Sequence, residues 1–420
     1  MKTVLAMNRF ILSFLFLFSL LIPWSESLAQ NSDTAVTISN WRLNPGTVSS
    51  RGGGFHDATS WDSSPYTEGN LTYINDFRMN FRLLVPSGHN TTYQPGYPLL
   101  VFIHGGGETG NCVWNNPAAN CNPVSANQGN DLQLTHGGKI LLDARNLANG
   151  RLPDDPTMPS RAFPGFVLFP QVTAGAWGSG DNLTSVIRII RLLCKKYNID
   201  QDRIYIHGLS QGGKATHEIL EKTPWLFAAG LTMSPVFWNP DASKYARIQH
   251  IPLWLFQGGK DTGPYPHESE LFMKNFRLAG GDVRYTLFPN LAHGTWNDAW
   301  AQPDFFTWLL SKRKSNIHVD FGNPNICATN GVGPTLRLAP GFYAYQWERD
   351  GQIIPGATGP VYVATVPGVY RARFSRISKT PTESQWNRWS DPVTVSEQAP
   401  PKPVVEHTGT LVLSDLNGNN

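Results

Sequence analysis

The chain has 420 residues, of which 40% are hydrophobic and 15% are charged. This length exceeds one typical domain, and the composition allows sizeable cores, which excludes a largely disordered protein. The formal net charge is only +3 and no Lys/Arg-rich stripe interrupts the sequence, so we expect no nucleic-acid partner.

The first 29 residues have the pattern of a secretory signal peptide. Lys2 and Arg9 come before an apolar run over residues 10–24, and small residues follow it. The run is shorter than the roughly 18 apolar residues that a membrane-spanning helix needs. We therefore expect cleavage after Ala29 or Gln30, export of the protein, and no stable membrane anchor.

Two of the four cysteines, Cys112 and Cys121, lie in a loop rich in Asn, Pro and Gly. In an exported protein this arrangement favours a local disulfide bond between them. No spacing of His, Cys, Asp or Glu is typical of a zinc site. We expect neither a metal nor another cofactor.

From residue 98 onward, apolar segments alternate with segments of helical periodicity. Continuous apolar runs indicate strands that are covered on both faces, as in a parallel sheet. Five such runs occur, at residues 98–105, 165–171, 203–208, 252–259 and 283–290. The alternation predicts an α/β domain with a doubly wound, mostly parallel sheet over residues 70–314. Residues 30–69 are expected to be an N-terminal extension of this domain.

After residue 314 the pattern changes to short strands separated by Gly and Pro turns. It predicts an all-β sandwich over residues 315–397. Residues 398–420 begin with a Pro-rich segment and end with the strand-like "TLVLS". We interpret them as a linker, followed by a strand-like segment that is a candidate for the start of a further module.

The segment "HGLSQGG" joins the apolar run 203–208 to a helix-like segment. A serine between two glycines at such a turn has its hydroxyl lifted out of the sheet, with the N-terminus of the helix directed at it. Asp261 and His293 follow the next two apolar runs, at the strand ends where the sites of open α/β sheets form. The order Ser210, Asp261, His293 predicts a nucleophile, an acid and a base.

An oxyanion site requires two backbone donors. The segment "HGGGETG" begins at His104, directly after the first apolar run, and its glycines allow close approach to a substrate. We expect the donors to be the amide of Gln211 and that of Gly106 or Gly107. His104 and His207 are expected to hold loops together.

Three tryptophans lie in loops that are expected near the strand ends. Trp177, Trp238 and Trp296 are candidates for the lining of an aromatic acyl pocket. Packing within the domain is an equally good interpretation for each of them. Gln171, at the end of an apolar run, is a weaker candidate for a hydrogen bond to the substrate.

These segments resemble the α/β-hydrolase superfamily, close to secreted esterases and predicted peptidases related to polyhydroxybutyrate depolymerases, feruloyl esterases and phospholipase/carboxylesterases. The resemblance covers about residues 70–312 and rests on "YPLLVFIHGGGETG", "RIYIHGLSQGG", "QGGKDTGPYP" and "AHGTWNDAW". It implies a cofactor-free serine hydrolase with Ser210 as the nucleophile, His293 as the base and Asp261 as the acid.

The segment "YQWERDGQIIPGATGPVYVATVPGVYRARF" resembles the immunoglobulin-like modules of secreted bacterial proteins. The resemblance implies that Trp347 is the core tryptophan and Tyr370 a tyrosine corner, in a protein that is secreted or lies on a bacterial cell surface. Trp386 and Trp389 are candidates for a carbohydrate-facing patch, but we favour a structural role for both.

We therefore expect a monomeric, secreted carboxylic-ester hydrolase. Its expected substrates are feruloyl or acetyl esters of polysaccharide, or polyesters. One alternative is a secreted serine peptidase of the prolyl oligopeptidase type, against which we note that no peptide-gating domain is recognisable. The other is a non-catalytic surface binding or adhesion protein, against which the intact Ser-Asp-His order argues.

Overall fold

The computed structural model describes residues 37–39, 66–72, 78–86, 89–109, 132–134, 136–138, 140–141, 163–172, 176–327 and 331–398. The predicted signal peptide, the predicted Cys112–Cys121 disulfide and the segment after residue 398 lie outside the described residues. Within the described ranges, no helix is long and apolar enough to cross a membrane.

Nine strands of the described residues form one sheet in the first part of the chain. They are β1 Thr37–Ser39, β2 Tyr66–Thr72, β3 Arg78–Leu84, β4 Tyr97–Ile103, β5 Phe166–Gln171, β6 Ile199–Leu209, β7 Ala229–Met233, β8 Leu253–Gly258 and β9 Val283–Phe288. Their order in the sheet is β1-β2-β3-β5-β4-β6-β7-β8-β9. The strands from β4 to β9 pair in parallel, whereas β3 pairs antiparallel with β5. The exchange of β4 and β5 in an otherwise sequential, mostly parallel sheet is the topology of the α/β-hydrolase fold, as predicted.

Six α-helices lie wholly within the described residues of this part of the chain. They are α1 Asn182–Lys196, α2 Gln211–Lys222, α3 Ala242–Ile248, α4 Pro266–Leu278, α5 Trp296–Trp300 and α6 Phe305–Leu310. Helix α1 packs through an apolar stripe, since Leu183, Val186 and Ile190 are all buried. Helix α2 begins directly after β6, so the strand-to-helix turn between them contains little besides Ser210.

The continuous apolar runs reflect where each strand lies in the sheet. Every residue of β5 and β8 is buried, because both strands have neighbours on each side and are covered on both faces. Strand β9 is the last in the sheet and is only partly buried. The candidate site residues follow the carboxyl ends of these parallel strands.

The chain divides into two compact units. The first takes in the described residues up to Asp241 together with Pro252–Met273 and Val283–Arg313. The second takes in Ala242–Ile251, Lys274–Asp282 and the described residues from Lys314 onward.

From Lys314 onward, the described residues form strands, loops and short 3-10 turns. The strands are β10 His318–Val319, β11 Asn325–Cys327, β12 Thr335–Arg337, β13 Ala344–Arg349, β14 Gln352–Ile353, β15 Val361–Val363, β16 Gly368–Ser375 and β17 Val393–Gln398. They form a three-stranded sheet in the order β10-β12-β15 and a five-stranded sheet in the order β11-β17-β16-β13-β14. The immunoglobulin-like assignment of these strands stays a prediction.

Two aromatic residues anchor the core of the second unit. Trp347 is fully buried, and its indole Nε1–H donates to the carbonyl oxygen of Gly359 at 2.9 Å. The hydroxyl of Tyr370 donates to the carbonyl oxygen of Val366 at 2.6 Å. Both aromatic side chains are therefore buried with their polar atoms hydrogen-bonded, as a core aromatic requires.

Trp386 and Trp389 share a cationic partner within the same unit. The guanidinium of Arg373 lies 4.9 Å from the ring centroid of Trp386 and 4.4 Å from that of Trp389. Arg373 also hydrogen-bonds the carboxylate of Glu383. Because both rings contact this nearly buried arginine, the arrangement favours the structural role over a carbohydrate-facing patch.

Candidate active site

Ser210 occupies a strained turn between β6 and α2. Its φ of 53° and ψ of −120° are rare for a residue with a side chain, and such backbone strain costs of order 1–3 kcal/mol. Backbone hydrogen bonds fix this conformation: the Ser210 carbonyl oxygen accepts from the amides of Gly213 at 3.0 Å and Val236 at 2.9 Å, and the Ser210 amide donates to Met233 at 2.9 Å. The serine side chain is thereby held at the end of the sheet.

The two glycines around Ser210 are required by close backbone packing. A Cβ atom at Gly212 would collide with the carbonyl oxygens of Ile103 and His104, at the end of β4. A Cβ atom at Gly208 would collide with the carbonyl oxygen of Gly212. Because the neighbouring atoms are backbone, they have little freedom to move aside. The Gly-x-Ser-x-Gly pattern therefore reflects how tightly α2 packs against β4 and β6.

Ser210, His293 and Asp261, the three candidates from the sequence, are joined in series by two hydrogen bonds. His293, in the loop after β9, has its Nε2 atom 2.9 Å from Ser210 Oγ. Its Nδ1 atom lies 2.8 Å from Oδ2 of Asp261, in the loop after β8. When the ring carries its proton on Nδ1, that nitrogen donates to the carboxylate and Nε2 accepts from the serine hydroxyl.

Asp261 is oriented by further hydrogen bonds. The residue is 4% exposed, and its Oδ1 atom accepts from the amide of Gly263 at 3.0 Å. The side-chain amide of Gln257 donates to its Oδ2 atom at 3.3 Å and itself accepts from Ser269 Oγ at 2.9 Å. The sequence analysis missed Gln257. A polar residue inside the apolar run 252–259 was the signal that could have identified it.

A second polar contact joins the loop after β7 to the loop that carries His293. The hydroxyls of Ser234 and Thr295 lie 2.9 Å apart, and both residues are buried. The His293 side chain itself is 28% exposed. The His293 ring is therefore accessible from solvent, while the loop that carries it is anchored to the loop after β7.

The predicted oxyanion residues lie beside the nucleophile. The 3-10 turn Gly106–Glu108 follows β4, and a Cβ atom at Gly106 would lie 2.9 Å from the side chain of Gln211. Gln211 is the first residue of α2, so its amide has no partner within the helix. A Cβ atom at Gly107 would meet nothing within 4 Å, so this residue borders open space. The structure thus brings Gly106 and Gln211 together.

Trp177 and Gln171 lie beneath the Gly106–Glu108 turn. Trp177 is 3% exposed, and its indole donates to the carbonyl oxygen of His104 at 2.8 Å. Gln171 is 1% exposed, and its amide donates to the carbonyl oxygen of Glu108 at 2.8 Å. These contacts favour a structural role for both residues, in place of the substrate contacts expected from the sequence.

Burial keeps the two strand-end histidines neutral. It lowers the pKa of His104 to about 4, against a smaller opposing effect of its hydrogen bond to the Gly105 carbonyl oxygen. It lowers the pKa of His207 to about 3, where Nδ1 lies 3.0 Å from the carbonyl oxygen of Val101. Both rings are therefore uncharged near pH 7 and hydrogen-bond the backbone, which supports the structural roles expected for them.

Trp296 and Trp238 lie closer to the nucleophile and the base. Trp296 is 6% exposed, and its ring is 5.8 Å from that of His293 in a T-shaped arrangement. Trp238 is only partly buried and lines a cleft together with Val236, Phe272 and His217. Val236 connects this cleft to Ser210, because its amide donates to the Ser210 carbonyl oxygen. Of the three tryptophan candidates, Trp238 is the best placed to contact a substrate.

No group of three or more His, Cys, Asp or Glu side chains that could hold a metal ion occurs among the described residues. A serine hydroxyl, a histidine and a buried carboxylate joined by hydrogen bonds can perform nucleophilic acyl transfer.

Comparisons with known proteins give similarity to both esterases and peptidases. Residues 169–245, which include Ser210, match the model of the prolyl oligopeptidase family. No curated protein matches the chain. Among solved structures, one similar protein is a thermostable esterase, at 28% identity and a TM-score of 0.48 over 60% of this chain and 64% of that one.

Two further solved structures represent the two activities. A ferulic acid esterase from Anaeromyces mucronatus has 14% identity and a TM-score of 0.41, over 64% of this chain and 98% of that one. Dipeptidyl peptidase 4 from Porphyromonas gingivalis has 15% identity and a TM-score of 0.40, over 59% of this chain and 35% of that one. The chain thus spans less than two thirds of the length of the thermostable esterase and about a third of that peptidase. It has the α/β-hydrolase fold, and its similarity extends to esterases and peptidases alike.

Proposed function

We propose that this protein is a serine hydrolase that cleaves carboxylic esters through an acyl-enzyme. Ser210 is the nucleophile, His293 the base and Asp261 the acid. The observation that carries the proposal is the pair of contacts from Asp261 to His293 and from His293 to Ser210, at 2.8 and 2.9 Å. Contacts of this length match those that an activated serine requires.

In the first step, Ser210 Oγ attacks the ester carbonyl carbon and its proton passes to Nε2 of His293. The imidazolium that forms is stabilised by the carboxylate of Asp261, which is buried and held by the amide of Gly263. His293 then gives the proton to the leaving alcohol as the tetrahedral intermediate collapses. Water repeats the sequence on the acyl-enzyme and releases the carboxylic acid.

The negative charge on the carbonyl oxygen develops beside the N-terminus of α2. The amide of Gln211 is one donor, and that of Gly106 or Gly107 is the second. The partial positive charge at the helix N-terminus adds to the stabilisation of the oxyanion. The closeness of Gly106 to the Gln211 side chain supports this assignment.

The substrate that we propose is a feruloyl or acetyl ester of polysaccharide, or a polyester. A small cleft near Ser210 is lined by Trp238, Val236 and Phe272, and Trp238, at its partly exposed side, is the contact that we propose for an apolar or aromatic acyl group. We further propose that the protein is secreted by a bacterium, acts as a monomer, and carries an immunoglobulin-like module over residues 315–397.

A serine peptidase is the second candidate, and the match of residues 169–245 to the prolyl oligopeptidase family favours it. A panel of substrates separates the two. It contains p-nitrophenyl acetate, butyrate and octanoate, methyl ferulate, a soluble polyester oligomer and a peptidyl p-nitroanilide. An esterase turns over one or more of the esters far faster than the anilide, and the preferred ester names the acyl group. Turnover confined to the anilide would establish the peptidase and refute the proposed ester specificity.

A further inference from the structure

Glu108 is a buried carboxylate in the turn that carries the proposed oxyanion donors. It is 4% exposed and ends the Gly106–Glu108 turn. Its Oε2 atom packs closely against Gly105, and a Cβ atom added at Gly105 would lie 2.7 Å from this oxygen. Its Oε1 atom lies 3.3 Å from Nε2 of His136, and both side chains are 5% exposed. The triad does not use either residue.

Such a pair is expensive to bury. Removing a carboxylate from water costs several kcal/mol, and a hydrogen-bonding partner offsets this cost only when the geometry of the hydrogen bond is good. The Glu108 backbone is held as well, since its carbonyl oxygen accepts from the Gln171 amide at 2.8 Å. Contacts of both the side chain and the backbone of Glu108 therefore hold the turn that contains Gly106 and Gly107.

The same pair reaches the loop that carries the base. The ring of His136 lies 5.0 Å from that of Trp296, and Trp296 lies 5.8 Å from His293. Contacts thus run from Glu108 through His136 and Trp296 to His293. They join the turn that provides the oxyanion donors to the residue that moves the proton.

We propose that Glu108 and His136 are a positioning pair that sets the Gly106–Glu108 turn relative to His293. Neither side chain touches the reacting atoms. The pair acts by holding the backbone amides of the turn where the oxyanion forms. This inference rests on the proposed serine-hydrolase function.

The expected effect falls on kcat. A misplacement of about 1 Å costs up to roughly 100-fold in rate, so we expect Glu108→Ala to lower kcat by about 10- to 100-fold. We expect KM to change by less than about threefold, because the oxyanion forms only during the reaction and is absent from the complex with bound substrate. Glu108→Gln retains an oxygen toward His136 and nearly the same volume, so it restores most of the activity.

His136→Phe tests the other half of the pair. The phenyl ring keeps its contact with Trp296 but lacks the nitrogen that faces Glu108. We expect the same loss of kcat as in Glu108→Ala, and no additional loss in the double variant, because the two residues act as one unit. This variant also serves for the kcat comparison if Glu108→Ala does not fold.

The matched control is an ion pair elsewhere in the same unit, between two largely buried side chains. Asp200 Oδ2 lies 2.7 Å from Arg203 Nε, with side chains 8% and 12% exposed. Asp200 lies at the start of β6, and Ser210 follows its end. At about 3.3 Å per residue, the two are roughly 30 Å apart. We expect Asp200→Asn to lower the melting temperature and leave kcat unchanged.

The assay measures kcat and KM on p-nitrophenyl butyrate at a temperature well below the melting temperature of every variant. A kcat for Glu108→Ala or His136→Phe equal to that of Asp200→Asn would overturn the inference. So would a Glu108→Gln variant that is as impaired as Glu108→Ala. If the wild-type protein turns over no substrate of the panel, the proposed function itself fails. If the wild type is active and the Glu108 variants are normal, only the positioning role fails.

Discussion

Replacing His217 by phenylalanine is expected to make the protein less sensitive to acid. His217 is 2% exposed, and its ring lies parallel to that of Phe272, at a centroid distance of 4.4 Å. Neither ring nitrogen has a hydrogen-bond partner among the residues that the structure describes. Burial therefore lowers the pKa of His217 from the ordinary 6.5 to about 3. A phenyl ring fits the same aromatic surroundings and has no proton to gain.

The size of the effect follows from the depressed pKa. Below pH 6.5 the unfolded chain binds a proton at His217, whereas the folded protein does not until the pH approaches 3. The free energy of unfolding therefore falls as the pH falls through this window, by about 1.36 kcal/mol per pH unit. Between pH 6.5 and pH 5 the loss amounts to roughly 2 kcal/mol. The phenylalanine variant avoids this loss.

Urea unfolding followed by tryptophan fluorescence, at about pH 7.5 and about pH 5, measures the effect. We expect the stability advantage of His217→Phe over the wild type to grow by roughly 2 kcal/mol between the two conditions. Phe272→Leu is the matched control, since it perturbs the same aromatic packing without changing a titratable group. Its effect is expected to be independent of pH. An advantage of His217→Phe that is equal at both pH values, or smaller at the lower one, would refute the reasoning.

Three further predictions concern other parts of the structure. Asp261→Asn is expected to lower kcat by about 10³- to 10⁴-fold in steady-state assays, because asparagine neither fixes the histidine tautomer nor stabilises the imidazolium. A loss of kcat below about tenfold would contradict this prediction. Gly212→Ala is expected to lower the melting temperature strongly, because its Cβ atom would meet two backbone carbonyl oxygens. The control variant Gly107→Ala faces open space and is expected to keep the wild-type melting temperature. Equal melting temperatures for the two variants would contradict this prediction. Trp389→Ala is expected to destabilise the second unit by about 1 kcal/mol through the loss of its contact with Arg373, with ester turnover unchanged. Unaltered stability together with lost binding to insoluble polysaccharide would point to a ligand patch instead.

Much of the fold could be predicted from the sequence because the central strands are covered on both faces. Such strands have to be continuously apolar, so β4, β5, β6 and β8 are visible as runs. The edge strand β9 also appears as a run, although it is only partly buried. Strand β7, with the sequence "AGLTM", is short and only moderately apolar, and the sequence analysis missed it. Its position in the sheet is set by pairing with β6 and β8, which no local pattern contains.

The same reasoning explains which site residues could be predicted. Ser210, Asp261 and His293 each follow a strand end, and parallel strands bring such ends together at one edge of the sheet. The burial of Trp177 and Gln171 depends on how distant loops pack, so their sequence positions could not reveal it. The contact between Glu108 and His136 joins two separate loops, and neither residue has a local signal that indicates the other.

Labelling with a fluorophosphonate probe provides a direct test of Ser210 as the nucleophile. The labelled residue is identified by mass spectrometry, and p-nitrophenyl butyrate turnover is measured in parallel. The account predicts one labelled site, Ser210, with labelling and turnover lost together, and with both absent in Ser210→Ala. Ester turnover that survives in Ser210→Ala, or a wild-type protein that neither reacts with the probe nor turns over any substrate, would contradict it.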